Sequence, residues 1–432
     1  MAGVNISQGS ALDAKFYSAA VFAGVQAKAG FMNLLSEESP TLGVAMAKME
    51  GQTQAGYPIV KVTDLAKSAG DRLSVDLFNI FQGKPTMGNK KLEGRGMSTT
   101  SSSMDVYINR SRSMADDGGK MTQKRTKHDL RMVIKSGLTN WASRLEDQRC
   151  MVALAGTRGY QALADWVIPL QADTDFSEIM VNPVQAPTYN RRFIAGMTGS
   201  SSSSATTASG MGVYDCLTLS EIDVISTLLQ SSSVPLQQIT MKDDQYGWNQ
   251  PLWVMFVTEN QWLILKTLST SKWSTALTNA VKRFEGAKPH PLFQGDSILW
   301  NGILVKPMGR YAIRIPAGSN VAENNSSNVE SAVTAAVNTD RAIIVGAQAL
   351  IKAYGNEGTG GDPYPVTWNE ELTDHKSTTE VSVAMMEGTA KVRFTINGAL
   401  TDHGVAVVDS YSPVPGTAAY ATLIGATNAG KY

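Results

Sequence analysis

The chain has 432 residues, of which 43% are hydrophobic, and its 38 basic residues match its 38 acidic residues, so the formal net charge is zero. This length allows two or three domains or one large elaborated fold, and the hydrophobic share is that of a globular protein and excludes a disordered one. The charge balance argues against a protein whose main task is to grip nucleic acid, because such proteins carry a strong basic excess.

Cysteine usage and hydropathy restrict the cellular setting. The chain has two cysteines, Cys150 and Cys216, without a CxxC spacing. A disulfide framework needs more cysteines; a single bridge remains open, but two scattered thiols are typical of a reducing cytoplasm. We expect no signal peptide, because no cationic start is followed by a long apolar run, and no membrane span, because no window of about 18 apolar residues occurs.

Residues 1–56 form the first predicted unit, an N-terminal arm rich in Ala, Gly, Ser and Met. Part of this arm, residues 11–35, is compatible with a helix. The apolar residues of that part, which do not form one clean stripe, are Phe16, Val21, Phe22 and Val25. A segment of this kind is poorly suited to burial in a core of its own. We therefore predict a flexible arm that becomes ordered on a neighbouring molecule.

Residues 57–120 predict an extended hairpin with its flanking strands. Residues 72–78 (RLSVDLF) and 104–108 (MDVYI) alternate apolar and polar side chains, which is the period of a strand. Residues 82–103 contain four glycines, one proline, several basic residues and a Ser/Thr run, which predict a loose basic tip. A lone two-stranded hairpin is unstable in water, so we expect this one to lie on another surface.

A long helix is predicted over residues 122–155, in a unit that spans residues 121–156. Six apolar residues mark one helical face: Leu130, Val133, Ile134, Leu138, Trp141 and Leu145. Asp116 and Asp117 precede the helix, and Gly156 follows it as a stop signal. At 1.5 Å per residue, this helix would be about 50 Å long. Such a length is typical of a structural spine.

Residues 157–355 predict a mixed α/β body. Helices are predicted at residues 219–230, 259–268 and 275–284, and strand character at residues 252–258, 298–307 and 341–354. Ser220 is the predicted N-cap of the first of these helices, and Asn301-Gly302 is the predicted tight turn of a hairpin. Polar loops are predicted at the serine-rich residues 200–210 and at residues 319–327.

Residues 356–432 predict a β-rich C-terminal extension. The alternation typical of strands recurs at residues 380–396 and 404–409. No internal repeat occurs at a fixed period, so the sequence does not indicate a repeat architecture.

A search for catalytic and metal-binding motifs finds none. The four histidines lie far apart in the sequence and in no HxH or HExxH spacing: His128, His290, His375 and His403. A zinc site needs three or four such ligands, and no GxSxG nucleophile motif occurs either. Residues 425–431 (GATNAGK) resemble the start of a phosphate-binding loop, but Tyr432 stands where that loop requires Ser or Thr. We therefore expect no catalytic residue, no metal and no cofactor.

Basic residues are concentrated between Lys84 and Arg131, where eleven lysines and arginines against five acidic residues give a local charge of +6. A solvated surface is one interpretation of this excess. Pairing with an acidic neighbouring copy and weak contact with a phosphate backbone are the others. No ladder of aromatic side chains is interleaved there, which weakens the case for specific binding of a single strand.

The order of these units resembles the HK97-like fold of the major capsid proteins of tailed bacteriophages: an arm, a long hairpin with a loose tip, a spine helix and a mixed body. Four stretches are also similar to the capsid proteins of short-tailed phages of the Enquatrovirus kind. They are DRLSVDLF at 71–78, GRGMS at 94–98, MDVYINRSR at 104–112 and PLFQGDSILWNGILVKP at 291–307. The resemblance covers residues 57–155 and 245–355, and it is weak at residues 200–210 and 356–432.

This resemblance implies an α+β, HK97-like fold with an N-terminal arm, an extended hairpin loop, a spine helix, and peripheral and axial domains. In that family the arm and the loop reach over neighbouring subunits, the long helix anchors the peripheral domain, and the axial domain packs around the symmetry axes. We therefore expect six basic residues to make inter-subunit loop contacts: Lys84, Lys90, Lys91, Arg95, Arg110 and Arg112.

The expected function is that of a structural protein, not an enzyme. Its copies would self-assemble as hexamers and pentamers into an icosahedral head that encloses double-stranded DNA, in a virion assembled in the host cytoplasm. Portal, scaffold and decoration proteins are the implied partners, together with non-specific contact with packaged DNA. Three alternatives stay open at this point: an encapsulin-like shell, a decoration or other virion component, and an enzyme. Encapsulin shells share the fold, so fold alone does not decide among them.

Overall fold

Two β-sheets and a long helix between them form the framework of the chain in a computed structural model. The structure describes residues 21–22, 24–25, 28, 30–36, 56–62, 70–78, 84–93, 101–161, 163–196, 207–240, 251–286, 296–309, 311–356, 365–375, 377–396 and 398–428. Its helices are α1 (Gly30–Leu35), α2 (Lys120–Arg125), α3 (Leu130–Ala155), α4 (Phe176–Met180), α5 (Leu219–Ser231), α6 (Glu259–Leu268), α7 (Thr270–Gly286) and α8 (Ala418–Asn428).

The strands, in chain order, alternate with these helices. They are β1 (Ile59–Val62), β2 (Arg72–Phe78), β3 (Ser101–Tyr107), β4 (Asn109–Asp116), β5 (Arg192–Ile194), β6 (Trp253–Val257), β7 (Ile298–Trp300), β8 (Ile303–Pro307), β9 (Arg314–Ile315), β10 (Asn320–Asn324), β11 (Glu330–Thr334), β12 (Thr339–Val345), β13 (Leu350–Tyr354), β14 (Val366–Thr373), β15 (Thr378–Lys391), β16 (Arg393–Ile396), β17 (Ala399–Asp402) and β18 (Val405–Tyr411).

The long helix α3 begins later than the sequence predicts. Its 26 residues span about 39 Å and not about 50 Å, because Asp129 is extended and its carboxylate accepts the N–H groups of Arg131 and Met132 as an N-cap. The preceding residues form the separate short helix α2. The predicted end is confirmed, since Gly156 takes the left-handed conformation (φ 68°) and its N–H bonds to the Val152 carbonyl.

The five-stranded sheet is organised around the 14-residue strand β15. Strands β13 and β14 pair with successive parts of one edge of β15, β4 pairs with its other edge, and β1 lies parallel to β13. Helix α3 packs on one face of this sheet, where Val381, Val383 and Met385 belong to the same core cluster as Leu145 and Leu154 of the helix. These β15 residues alternate along the strand, so they share the face toward the helix.

The seven-stranded sheet runs in the order β5-β18-β12-β6-β8-β7, and β9 also pairs with β12. Helices α5, α6 and α7 cover one of its faces, where Ile225 and Leu265 pack with Met255. Its other face contributes Phe256 and Ile343 to the cluster that contains α3. The C-terminal half of α3 is therefore enclosed between the two sheets.

Most of the predicted elements of the body are present, with shifted ends. Helix α6 spans the predicted residues, whereas α7 begins five residues early and Thr218, not Ser220, caps α5 by accepting the Glu221 N–H. The predicted turn between β7 and β8 is confirmed, with Asn301 and Gly302 at φ 44° and 81°.

The prediction of a polar loop at residues 319–327 is wrong. Strands β10 and β11 pair there as an antiparallel hairpin. Val321 is buried in a small cluster with Ile315 and Ala335. One apolar side chain among polar neighbours does not reveal a strand, so the partner segment decides the structure. The serine-rich residues 200–206 lie outside the described part of the chain.

The N-terminal segment contradicts the expectation that its apolar residues lack a core. Val21, Phe22 and Val25 are buried and helical, and they join the cluster of α3. Phe31 stacks near Phe256 with ring centroids 4.9 Å apart. A spacing of one and four residues places the first three on one side of a helix, which suffices when a ready surface is present. Residues 1–20 and 37–55 of the predicted arm lie outside the described residues.

Three of the five described strands after residue 355 belong to the two large sheets, and β16 and β17 pair with each other. Strand β15 joins β13 to β14 across the expected division at residue 355. Strand β18 lies between β5 and β12 in the seven-stranded sheet. This part of the chain is thus β-rich as expected, but it is integrated into the framework and is not an appendage.

Candidate assembly surfaces

The predicted hairpin is confirmed as an antiparallel ribbon of β2 and β3, in which Leu73 lies opposite Val106 and Val75 opposite Met104. The ribbon is fastened at its base. The Tyr107 N–H donates to Asn182 Oδ1 at 2.9 Å. The ribbon therefore has a defined origin on the body of the subunit.

The apolar face of the ribbon lies on the five-stranded sheet. Val106 is buried with Val60 of β1 and Ile351 of β13, and Leu73 and Val75 pack against them. Ile351 alternates with Lys352, which faces α3, so this contact is on the sheet face opposite the helix. A lone hairpin needs a surface to lie on, and in this subunit the five-stranded sheet provides that surface.

The tip of the ribbon, defined as residues 84–93, has a different character. It contains no helix or strand, and nine of its ten residues are exposed. Met87 is 69% exposed and Leu92 is 75% exposed. Three lysines accompany these apolar side chains: Lys84, Lys90 and Lys91. Exposed apolar side chains on a projecting basic segment are typical of a surface that contacts another molecule.

The six predicted contact residues fall on more than one surface. The three lysines lie on the tip, and Arg95 lies outside the described residues. Arg110 and Arg112 lie on β4 instead and are exposed. Since Ser111 and Ala115 face α3, the two arginines lie on the opposite face of the sheet, beside Met114, which is 62% exposed. That face is covered by the ribbon at one end and exposed at this end.

A buried network of charges ties α3 to the five-stranded sheet. Lys352 Nζ lies 3.1 Å from Glu146 Oε1 and 2.9 Å from Glu387 Oε2, and Arg149 Nη1 lies 2.7 Å from Glu387 Oε1. All four side chains are 3% exposed or less. Arg149 also donates to Ser111 Oγ of β4. The network therefore connects the helix with β4, β13 and β15.

The pKa values of the two carboxyl groups in this network shift in opposite directions. Burial raises the pKa of Glu146 to about 8, against the effect of Lys352 and with that of Glu387. Burial acts in the same direction on Glu387, but Lys352 and Arg149 lower its pKa to about 2. The pKa values of the two carboxyl groups therefore move in opposite directions, because Glu387 has two cations beside it. Each cation has an anionic partner, which is the arrangement of a structural ion network.

A second buried network joins β16 and β17 to the loop before β5. Asp402 lies between Lys391 Nζ at 3.0 Å and Arg393 Nε at 2.6 Å. Lys391 also donates to the Gln185 carbonyl, and the Thr188 N–H donates to Asp402. All donors in this set are engaged with protein acceptors, so the arrangement again holds chain segments together.

The described residues bring no metal-binding set together. Among them no group of three or more His, Cys, Asp and Glu side chains is placed to hold a metal ion. His403 is buried, and burial lowers its pKa together with Arg191, whereas His128 and His375 are exposed on other elements. His290 lies outside the described residues. No helix in the described part of the chain is long and apolar enough to cross a membrane.

Three solved structures of phage capsids are similar to this chain in fold. The capsid of Ralstonia phage GP4 matches with a TM-score of 0.67 and 22% identity over 84% of this chain and 90% of that one. A capsid chain of cyanophage Pam1 matches at 0.55 and 18% over 83% and 90%, and that of Helicobacter pylori phage KHP30 at 0.52 and 13% over 84% and 93%. None of the curated protein sequences matches the chain.

The predicted α+β, HK97-like fold is confirmed, because the chain matches the capsid structure of phage GP4 over most of its length. The profile of a family described as phage capsid protein matches residues 5–414, nearly the whole chain. With its exposed ribbon tip and its buried structural ion networks, this chain belongs to the phage capsid protein family.

Proposed function

We propose that identical copies of the chain assemble as hexamers and pentamers into the closed icosahedral head of a tailed phage, around its double-stranded DNA. Membership of the capsid family makes the chain a shell subunit. The finer arrangement is supported by the physics of identical copies, since complementary patches on one chain close into a shell by symmetry. The zero net charge favours contacts between copies over binding to a polyanion.

The observation that carries this proposal is the exposed ribbon tip. Residues 79–100 connect the last paired residues of β2 and β3, and they number 22. Half of them, fully extended, would reach about 36 Å beyond the ribbon. We propose that residues 82–103 cross onto a neighbouring copy, with Lys84, Lys90, Lys91 and Arg95 in contact with it. Arg110 and Arg112 would contact a neighbour from the exposed face of the five-stranded sheet.

The two sheets correspond to the two expected domains in this proposal. The five-stranded sheet with α3 forms the peripheral domain, and the seven-stranded sheet with α5, α6 and α7 forms the axial domain around the symmetry axes. The segment before residue 21 serves as an arm toward a neighbour. Portal, scaffold and decoration proteins complete the assembly in the host cytoplasm, contact with packaged DNA is non-specific, and the subunit has no enzymatic role.

Removal of the tip tests this function. A variant that lacks residues 84–93 should fold but not form shells, because the contact between copies is lost while the ribbon base stays on the sheet. Circular dichroism measures folding, and electron microscopy of size-separated material measures assembly. A variant with a Gly/Ser tip of equal length is the matched control, and it should fail as well if side chains and not length matter. Normal particles from the deletion variant would contradict the proposal.

An encapsulin-like compartment is the second candidate, because phage heads and encapsulin compartments are both shells of this fold. Native mass analysis of purified particles separates the two. Packaged DNA is the outcome expected for the head of a phage, and an enclosed cargo protein would favour the compartment.

A further inference from the structure

A groove of about 490 Å³ lies between the segment that follows α3 and the β10–β11 hairpin. Its walls are mostly apolar and include Tyr160, Leu170, Ala172, Val321, Ala322 and Ala332. Tyr160 and Leu170 are 41% and 39% exposed, and the Tyr160 hydroxyl donates to the Asn320 carbonyl at 2.5 Å. That bond fixes the two walls relative to each other, so the groove is a built feature of the subunit.

The rim of this groove is formed by two acidic segments of the chain, and Glu330 belongs to its lining. Residues 159–190 contain four acidic residues and no lysine or arginine, and residues 315–340 contain three acidic residues and no lysine or arginine. Four of these seven acids are exposed: Asp173, Asp175, Glu178 and Glu330. Asp173 belongs to the turn that Leu170 opens, because the Asp173 N–H donates to the Leu170 carbonyl at 2.9 Å. Negative charge therefore accompanies the apolar walls.

Two arginines of the described residues that adjoin the groove segments in the sequence, Arg158 and Arg314, have partners within the subunit. The Arg158 guanidinium is buried, stacks over Trp166 at 3.4 Å from the ring centroid and donates to the Ile168 carbonyl. Arg314 lies 3.4 Å from a carboxylate oxygen of Asp340. Neither side chain is placed to neutralise the exposed acids of the rim. As far as the described residues show, the groove thus offers an apolar slot with negative charge at its edge.

The ribbon tip has the complementary character. It carries Met87 and Leu92, both strongly exposed, between lysines. We propose that this groove is the docking site for the tip (residues 84–93) of a second copy of the chain, with the apolar side chains in the slot and the lysines on the acidic rim. This inference rests on the proposed function, in which the tip crosses between copies, and it names the surface that receives the tip.

A competing surface is the first turn and a half of α3. Met132 and Val133 are 66% and 58% exposed there. Basic residues predominate there, since residues 120–135 contain six lysines and arginines against Asp129, although Arg131 pairs with Glu370. A basic tip would meet like charge on this surface and opposite charge at the groove, and like charges across an interface oppose association. Charge therefore selects the groove.

Cross-linking of assembled particles tests the docking site directly. Leu92→Cys combined with Ala332→Cys should give covalent dimers and larger ladders on a non-reducing gel after treatment with a short bis-maleimide. The native thiols Cys150 and Cys216 are buried, so the new thiols are the reactive ones. Leu92→Cys combined with Ser136→Cys, on the competing surface of α3, is the control and should not link. Links to position 136 instead, links only within one chain, or no links would each overturn the proposal.

A charge swap gives an independent test. Lys84→Glu/Lys90→Glu/Lys91→Glu on the tip and Asp173→Lys/Asp175→Lys/Glu330→Lys on the rim should each reduce the yield of closed particles by roughly tenfold or more, since each brings like charges together. The variant that carries all six changes should recover assembly. Circular dichroism of each variant confirms folding.

The outcomes separate this inference from the proposed function. If tip deletion prevents assembly while the rim variant assembles normally, the groove assignment is wrong and the crossing tip remains. If tip deletion itself leaves normal particles, both are wrong. Loss of assembly in each charge variant without recovery in the combined one would also overturn the groove assignment.

Discussion

The protonation of Glu146 links the stability of the fold to pH. In the folded chain burial raises its pKa to about 8, from an ordinary value of 4.5. The folded state therefore keeps a proton that the unfolded chain loses above pH 4.5. The stabilisation is fully present below that pH and is lost as the pH rises toward 8.

Replacement of the Glu146 carboxyl should weaken the dependence of the free energy of unfolding on pH. Glu146→Gln keeps the hydrogen-bonding shape without a titrating group, so the free energy of unfolding should fall less between pH 5 and 8 than in the wild type, by up to about 1.4 kcal/mol per pH unit. Urea denaturation of the unassembled protein at several pH values measures this slope. His403 is present in both proteins and cancels in the comparison. Glu371→Gln, at an exposed position on β14, should leave the slope unchanged. Equal slopes in wild type and Glu146→Gln would refute the prediction.

At the scale of elements, two glycines of α3 and its C-cap are in opposite situations. Gly156 ends the helix at φ 68°, and a Cβ there would lie 2.5 Å from the Gln185 carbonyl oxygen. Gly137 is inside the helix and exposed, and a Cβ there would meet nothing within 4 Å. The same substitution should therefore have opposite signs at the two positions.

Gly156→Ala should destabilise the subunit by about 2 kcal/mol, because of the left-handed backbone and the contact with the neighbouring chain segment. Gly137→Ala should stabilise it by about 0.5–1 kcal/mol, because alanine restricts the unfolded chain and favours the helix. Chemical denaturation of both variants measures the two effects. Destabilisation by Gly137→Ala of similar size to that of Gly156→Ala would show that the surface of α3 is packed at that point.

At the scale of the whole molecule, the exposed arginines of β4 distinguish contact between copies from contact with DNA. We expect Arg110→Ala/Arg112→Ala to lower the melting temperature of empty and of DNA-filled particles alike, by roughly 1 °C for a loss of about 1 kcal/mol per subunit. Differential scanning calorimetry of both particle types measures this. Lys120→Ala/Lys124→Ala, at exposed positions of α2, is the matched control. A shift confined to DNA-filled particles would assign the arginines to the packaged DNA instead.

Several features of this protein follow from its sequence by itself. The end of α3 at Gly156, the turn at Asn301-Gly302 and the pairing of β2 with β3 were all predicted, because each depends on neighbouring residues and their backbone preferences. The capsid family was predicted from the resemblance of four sequence stretches and of the order of the elements, and the family match confirms it.

Other features were decided only by tertiary structure. The sequence pattern continues from α2 into α3, and the capping bond of Asp129 separates them. In the sequence, nothing distinguishes Lys352 from other lysines in strands. Only the folded chain brings Glu146 and Glu387, from distant segments, into contact with it. The groove likewise needs two segments more than 100 residues apart. Local periodicity determines elements, but burial, ion pairing and surface shape depend on which distant segments meet, and that is a property of the folded chain.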